Sequence, residues 1–519
     1  MSLSPGRLWV PKILFAIVLS IAILSLVRFG HTAITRYLSQ KILCLRCTVV
    51  ILDLDTLRAD EIDCFGIGAT VTPNLCRLIR QSTVFSQAYS QSYWTLPSSL
   101  STYSSLYPNV NQVWRMGQGS LAPSTVTLAA YVQSAGYKTT YAGQDADNLL
   151  TQRNGGLRGY GHIDNVDIFW GQLLSKFTST ISAPPPVLFH VYTGWLHMPY
   201  LLDSDQSPIE NLPKPKGFPL FFTEFDAIQE NYLAAHATDV FTPETIAQNP
   251  DVFRVGPADR GKRILAYFRM LDAMNDYTKR KNAWLSTYIP YMQFIDLHNP
   301  QDVAYLHMMY KSTIHTLDSR LAPYINYLLQ PDISRHTIVV ITSAHGEAFE
   351  EHGTLEHDAI PYNELYHVPL IIKYPHGSGR HIDAVVENID IYPTIVEMVT
   401  GKVPDNVQGV SLVPLLSGSS IRAKSYAISI NENNVFVLQN RRYALIVYKD
   451  RAVKPELYDL IRDPGEQHDI ASKHPDIVNQ YMRFFVQTHV VPELSIPTPD
   501  VLPIPADIYK KDLIRSGYF

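Results

Sequence analysis

Residues 48–54 (TVVILDL) form an unbroken apolar stretch closing on acidic residues, the pattern of a strand buried on both faces. Thr337–Thr342 (TIVVIT) repeats that pattern, and Tyr137–Tyr141, Val187–Thr193 and Pro369–Lys373 also read as strands. Helical signals alternate with them. One surrounds Pro73–Arg80, and another runs over Thr125–Gly136 with Gly136 as its C-cap. The longest spans Val303–Leu329, with apolar positions at helical spacing through Ile314, Leu317 and Leu321. This alternation predicts an α/β fold: three α/β/α layers around a doubly wound, mostly parallel sheet. Ligands bind beyond the carboxyl ends of such strands.

Elsewhere the pattern changes. Residues 203–299 are irregular and rich in aromatics and proline, and read as an insertion or lid. After Ser417 come short strand signals at Ser425–Ile430, Val435–Leu438 and Tyr443–Tyr448, then a helix at Asp476–Val486. They predict a small antiparallel subdomain over 421–489, followed by a proline-containing tail over 490–519. Upstream, Ile13–Val27 is apolar and uncharged. With Leu8, Trp9, Val10 and a snorkelling Lys12 it reaches about 20 residues, enough to cross a bilayer. A cleaved signal peptide is the rival reading, but Arg28, Phe29 and Gly30 offer no small-residue cleavage site, which favours an uncleaved anchor over 1–46. Arg7 and Lys12 precede the span, whereas Arg28, Arg36, Lys41 and Arg46 follow it, a weak lean toward a cytoplasmic domain.

Composition narrows the classes. With 46% hydrophobic and 18% charged residues the chain is neither disordered nor strongly charged, and a net charge of -5 argues against a nucleic-acid partner. Cys44, Cys47, Cys64 and Cys76 lack the second pair that a zinc site needs, so unremarkable thiols or one local disulfide are expected.

Four polar islands remain. Asp53 and Asp55 close the first strand; by strand alternation they share a face, and carboxylates there either bind a cation or pair with Arg58. In Trp94-Thr95-Leu96-Pro97-Ser98-Ser99, Pro97 suits a first helical turn. Thr95 just before it is either an N-cap or, beside a metal, a nucleophile. His197-Met198-Pro199-Tyr200 follows a strand, and His197 is a site histidine or a loop histidine. Thr342-Ser343-Ala344-His345-Gly346-Glu347, leading to His352, His357 and Asp358, suggests metal or phosphate handling.

In order and spacing these islands resemble the sulfatase branch of the alkaline phosphatase superfamily. Leu106-Tyr107-Pro108, Ile389-Asp390, Tyr392-Pro393-Thr394, Gly409–Leu416 and Glu456–Leu460 resemble its later landmarks, so the likeness covers most of 47–475. The resemblance implies a catalytic domain over 47–420 on the extracytoplasmic side of the membrane. It implies an anionic ester substrate, carried on a glycan or lipid, and a divalent cation: calcium, manganese or zinc. Asp55 and His345, with Thr95, would bind the metal, with Asp53 as a further candidate; Thr95 would be the nucleophile; His197 and His357 would contact the anionic group. The chain also departs from the pattern. The formylglycine nucleophile of sulfatases starts from cysteine or serine, not Thr95, and the expected arginine is Ser99. The expected aspartate is Ala344 and the expected basic residue after Gly143 is Gln144, leaving a thin, weakly binding metal set unless Asp53, Glu347 or Asp358 compensates. Threonine is the nucleophile in the superfamily's phosphodiesterases and phosphoryl transferases, which favours phosphoryl over sulfuryl chemistry. The alternative is a non-catalytic relative that binds a partner, glycan or lipid.

Overall fold

Strand β1 (Thr48–Leu54) is buried along its whole length. The computed structural model describes residues 42–487 apart from 63, 65–70, 115–118, 144–149, 165–172, 185, 201, 203–211, 221–293 (save 224, 227, 243 and 247), 358–359, 419–423, 432–434 and 449–452. The apolar N-terminal span, Gln144, Asp358, most of the 203–299 insertion and the tail therefore lie outside the described residues. Among the described residues no helix is long and apolar enough to cross a membrane.

After β1 come α1 (Pro73–Ile79), β2 (Thr83–Tyr89), α2 (Thr95–Ser104), α3 (Leu128–Ser134), β3 (Lys138–Ala142), β4 (His162–Asp164), α4 (Leu173–Ile181) and β5 (Val187–Thr193). Then follow α5 (Pro300–Leu328), β6 (Thr337–Thr342), the short β7 (Ala348–Phe349) and β8 (Leu355–Glu356), β9 (Leu370–Lys373), β10 (Arg380–Glu387) and α6 (Ile391–Thr400). Eight strands form one sheet in the order β10-β2-β9-β6-β1-β5-β3-β4. β1 runs parallel to both β5 and β6, and only β9 is antiparallel to its neighbours.

Alternation along β1 builds the two outer layers. Val50, Leu52 and Leu54 pack with Leu306, Ile314, Leu317 and Leu321 of α5. Val49 and Ile51 pack on the other face with Leu128 and Val132 of α3 and Ile395 of α6. Each such side chain contributes about 1.5–3 kcal/mol of burial. α5 begins at Pro300, earlier than the apolar spacing predicts, because Asn299 caps it by accepting from the Gln301 N–H at 3.1 Å. α3 is shorter than expected because Thr127 is its N-cap, accepting from Ala130 N–H at 3.2 Å.

β11 (Ala427–Ile430), β12 (Val435–Gln439), β13 (Tyr443–Tyr448) and β14 (Glu456–Asp459) form an antiparallel meander, followed by α7 (Pro475–Gln487). The thiol expectation is corrected: two disulfides form, Cys44–Cys47 and Cys64–Cys76, and no described cysteine is free. α1 carries Cys76 back to the segment after β1, bringing its Cα within 5.5 Å of that of Cys64, inside bridging range.

Candidate functional site

The turns leaving β1, β5 and β6 meet at the carboxyl ends of three adjacent strands. Ser343 ties two of them together: its hydroxyl accepts from Leu57 N–H at 3.0 Å and donates to the His345 carbonyl at 2.7 Å. Gly346 is required beside His345, since a Cβ there would fall 1.9 Å from the Glu364 carbonyl oxygen. Thr56 sits at φ +61°, a left-handed conformation rare for threonine, held by Tyr310 donating to its carbonyl at 2.6 Å.

Thr95 is the first residue of α2, with Trp94 rather than Thr95 at the cap position. Its Oγ1 lies 2.9 Å from His345 Nε2, and His345 Nδ1 lies 2.8 Å from the Gly346 carbonyl. A carbonyl only accepts, so Nδ1 carries the hydrogen and Nε2 accepts from the threonine hydroxyl. Asp55 lies just past β1. Tyr192 donates to its Oδ2 at 2.6 Å, while Oδ1 is 3.7 Å from His345 Nε2 and Oδ2 is 3.6 Å from His197 Nε2. His197 turns its Nδ1 to the Gly194 carbonyl at 2.9 Å. His357, just after β8, places Nδ1 2.9 Å from Glu347 Oε1, and Tyr200 donates to Glu347 Oε2 at 3.0 Å. The three histidines each bring one nitrogen within 4.8 Å of the others.

Burial dominates the electrostatics. It pushes His345 down to about 4 and His357 well below the usual imidazole range, so both are neutral at neutral pH. It pushes the Glu347 carboxyl well up. None of Thr95, Asp55, Tyr192, Tyr200, Glu347 or the three histidines supplies a permanent positive charge. Arg58 lies nearby but is occupied by Asp60, Glu351 and the Glu347 carbonyl.

Thr95, Asp55, His197, His345 and His357 thus come together. Asp53 does not join them. Its carboxylate accepts from Tyr103 at 2.8 Å and lies 3.8 Å from His190, in a separate buried network, and burial raises its pKa. Strand alternation predicts one shared face for Asp53 and Asp55, but β1 ends at Leu54 and the turn re-aims Asp55. Glu347 stands behind His357 rather than in the place of a carboxylate at Ala344. Ala344 itself is buried, with its carbonyl accepting from Ser98 at 2.5 Å. The Ser99 hydroxyl is buried with no hydrogen-bond partner among the described residues. The sequence reading misses Tyr192 and the bracing by Glu347. A polar signal for Tyr192 exists, since His190 and Tyr192 interrupt the otherwise apolar run of fully buried β5.

The sulfatase family profile matches residues 47–401, and a profile described as N-sulphoglucosamine sulphohydrolase, C-terminal, matches 350–487. Arylsulfatase K of Xenopus laevis is 31% identical over 195 residues, covering 35% of this chain and 36% of that protein. Arylsulfatase K of Gallus gallus is 24% identical over 428 residues, covering 77% and 74%. Among solved structures, a protein in complex with its substrate D-glucosamine-2-N,6-O-disulfate superposes with a TM-score of 0.60 at 17% identity, covering 86% of this chain and 97% of that one. The phosphonate monoester hydrolase of Agrobacterium radiobacter gives 0.59 at 18% identity, covering 86% and 96%. The solved structures share the fold, and the sulfatase profile spans more than half of the sequence, so the chain belongs to the sulfatase family of ester hydrolases.

Proposed function

We propose that this chain hydrolyses an anionic ester with Thr95 as nucleophile, a phosphoryl ester in preference to a sulfate. The observation that carries the reading is the 2.9 Å hydrogen bond between Thr95 and His345, made at the first residue of α2 and beside Asp55. Thr95 replaces the cysteine or serine from which the sulfatase aldehyde is made, which favours direct attack by its hydroxyl. Oγ1 forms a bond to phosphorus as the bond to the leaving alcohol oxygen breaks, and the alcohol departs with a proton. Water then attacks phosphorus, the Oγ1–phosphorus bond breaks, and the phosphate, or the monoester or phosphonate left from the substrate, departs as the threonine hydroxyl is restored. Backbone N–H groups in the first turn of α2 favour the anion. His197 and His357 border the place where its oxygens lie.

Asp55, His345 and Thr95 are the residues that would hold a divalent cation, which lowers the pKa of the nucleophile and neutralises the ester when bound. Calcium fits poorly here: it takes six to eight oxygen ligands, and Ala344 contributes no side-chain oxygen. A cation that accepts imidazole fits better.

Two proteins of like fold suggest substrates to try: one is solved with a disulfated glucosamine, the other is a phosphonate monoester hydrolase. The non-catalytic alternative gains no support from the relatives. An aryl phosphodiester, an aryl phosphonate monoester and an aryl sulfate should be offered to the purified chain. We expect the phosphorus esters to turn over faster, and Thr95→Ala to lose at least about 1000-fold in kcat. Mass spectrometry should find unmodified threonine at 95. Unchanged turnover in Thr95→Ala would remove Thr95 from the mechanism. Binding of a sulfated glycan with no turnover of any ester would favour the non-catalytic alternative.

A further inference from the structure

We infer that His197, His345 and His357, with Asp55, form a nitrogen-rich centre for a zinc-type cation, and that the two outer histidines are metal ligands rather than direct partners of the ester. The inference rests on the cation-assisted reading above and specifies its metal. Three observations converge on it.

The first is the placement. One nitrogen from each ring lies within 4.8 Å of the others, and Asp55 reaches between two of them at 3.6 and 3.7 Å. Zinc sits roughly 2.0–2.1 Å from each imidazole nitrogen, so a tetrahedral set needs its nitrogens about 3.3 Å apart. The rings are therefore near closure around one point, and His197, on the turn after β5, is the only one of the three that is not fully buried.

The second is the outer layer. Every ring turns its Nδ1 to an oxygen: His197 to the Gly194 carbonyl, His345 to the Gly346 carbonyl, His357 to the Glu347 carboxyl. This is the arrangement that orients metal-bound imidazoles and raises their basicity. Asp55 is braced in the same way by Tyr192 at 2.6 Å.

The third is the sign of the charge. In His345 the Nδ1 hydrogen is committed to a carbonyl, so Nε2 is an acceptor, met here by the Thr95 hydroxyl. That acceptor nitrogen and the Asp55 carboxylate, 3.7 Å away, face the same point and repel an anionic ester. A cation between them and the ester turns that repulsion into attraction and fits the serine at 99 where the resemblance expects an arginine.

Full-length protein, stripped with a chelator, should be titrated with zinc chloride and with calcium chloride by calorimetry. We expect one zinc per chain, bound at least about 100-fold more tightly than calcium. X-ray absorption on the zinc-loaded natural chain should count three imidazole nitrogens, a result independent of any variant's folding. His357→Ala should weaken zinc more than Glu347→Gln, which should cost about 10-fold. Equal affinity for calcium, an absorption spectrum without imidazole, or unchanged zinc affinity in both His197→Ala and His357→Ala would overturn the inference. Thr95→Ala separates it from the catalytic reading: with three imidazoles and Asp55 still in place, the variant should lose less zinc affinity than His357→Ala while losing turnover. Thr95-dependent turnover without zinc binding would sink the metal centre alone. Zinc binding with turnover indifferent to Thr95 would sink the nucleophile alone.

Discussion

Ala344 is the residue where site chemistry turns. It stands beside His345 at the end of β6, and an aspartate there would add the carboxylate that the resemblance expects. Ala344→Asp should therefore shift the cation preference, raising calcium affinity about 10-fold in calorimetric titration, because a hard cation gains an oxygen ligand and a compensating charge. No gain for calcium would mean that the new side chain cannot reach the centre. Tyr192 tests the bracing of Asp55. Tyr192→Phe removes a hydrogen bond to a buried carboxylate, for which about 1.5–3 kcal/mol of stability is expected to be lost in urea denaturation. A loss under about 0.5 kcal/mol would show that Asp55 finds another donor. Thr95, Asp55 and His345 were legible in the sequence because each abuts a strong strand or helix signal. Glu347 was legible as a carboxylate but not in its role. That role depends on the β7–β8 pairing, which returns His357 to it across ten residues with no periodic signal.

Elements with continuous apolar runs, such as β1, β5 and β6, were legible to the residue, whereas β2, β4, β10 and β14 were not. β10 reads Arg-His-Ile-Asp at its start and lies at the edge of the sheet, so half of it never needs an apolar face. β14 has four residues and is defined by its pairing with β13. Just after β14, Glu466 joins the C-terminal meander to the main domain by accepting from the Asn363 N–H at 2.6 Å. Burial pushes its carboxyl up to about 8. The folded chain thus holds this proton to higher pH than the unfolded chain, whose glutamate titrates near 4.3. The resulting stability is complete below about pH 4.3 and is lost as pH rises toward 8. Glu466→Gln keeps an acceptor for Asn363 without the titration. Melting temperatures from pH 5 to 9 should fall more steeply for the natural chain than for the variant; parallel curves would refute this.

For the molecule as a whole, the C-terminal meander and the main sheet share a buried charge cluster. Lys424 pairs with Glu387, which closes β10, and lies 2.7 Å from Asp390, while Ile428 N–H and the Tyr107 hydroxyl each donate to Glu387 at 2.9 Å. Lys424→Met leaves two buried carboxylates without their cation and should cost about 3–5 kcal/mol in urea denaturation. A Leu8–Val27 anchor would leave the folded domain on one side of the membrane or the other. The flanking charges of the Leu8–Val27 span lean toward the cytoplasm, but long domains translocate largely regardless of such charges. The cysteines weigh more. All four form disulfides, and structural disulfides persist in oxidising compartments. We therefore expect the chain to be membrane-bound with its folded domain on the extracytoplasmic side. In sealed microsomes, protease should leave the domain intact until detergent is added, and non-reducing mass spectrometry should recover Cys44–Cys47 and Cys64–Cys76 as linked peptides. Carbonate washing should leave the chain in the pellet. A domain digested without detergent and carrying alkylatable thiols would place it in the cytoplasm, and a soluble chain beginning near residue 30 would replace the anchor with a cleaved signal.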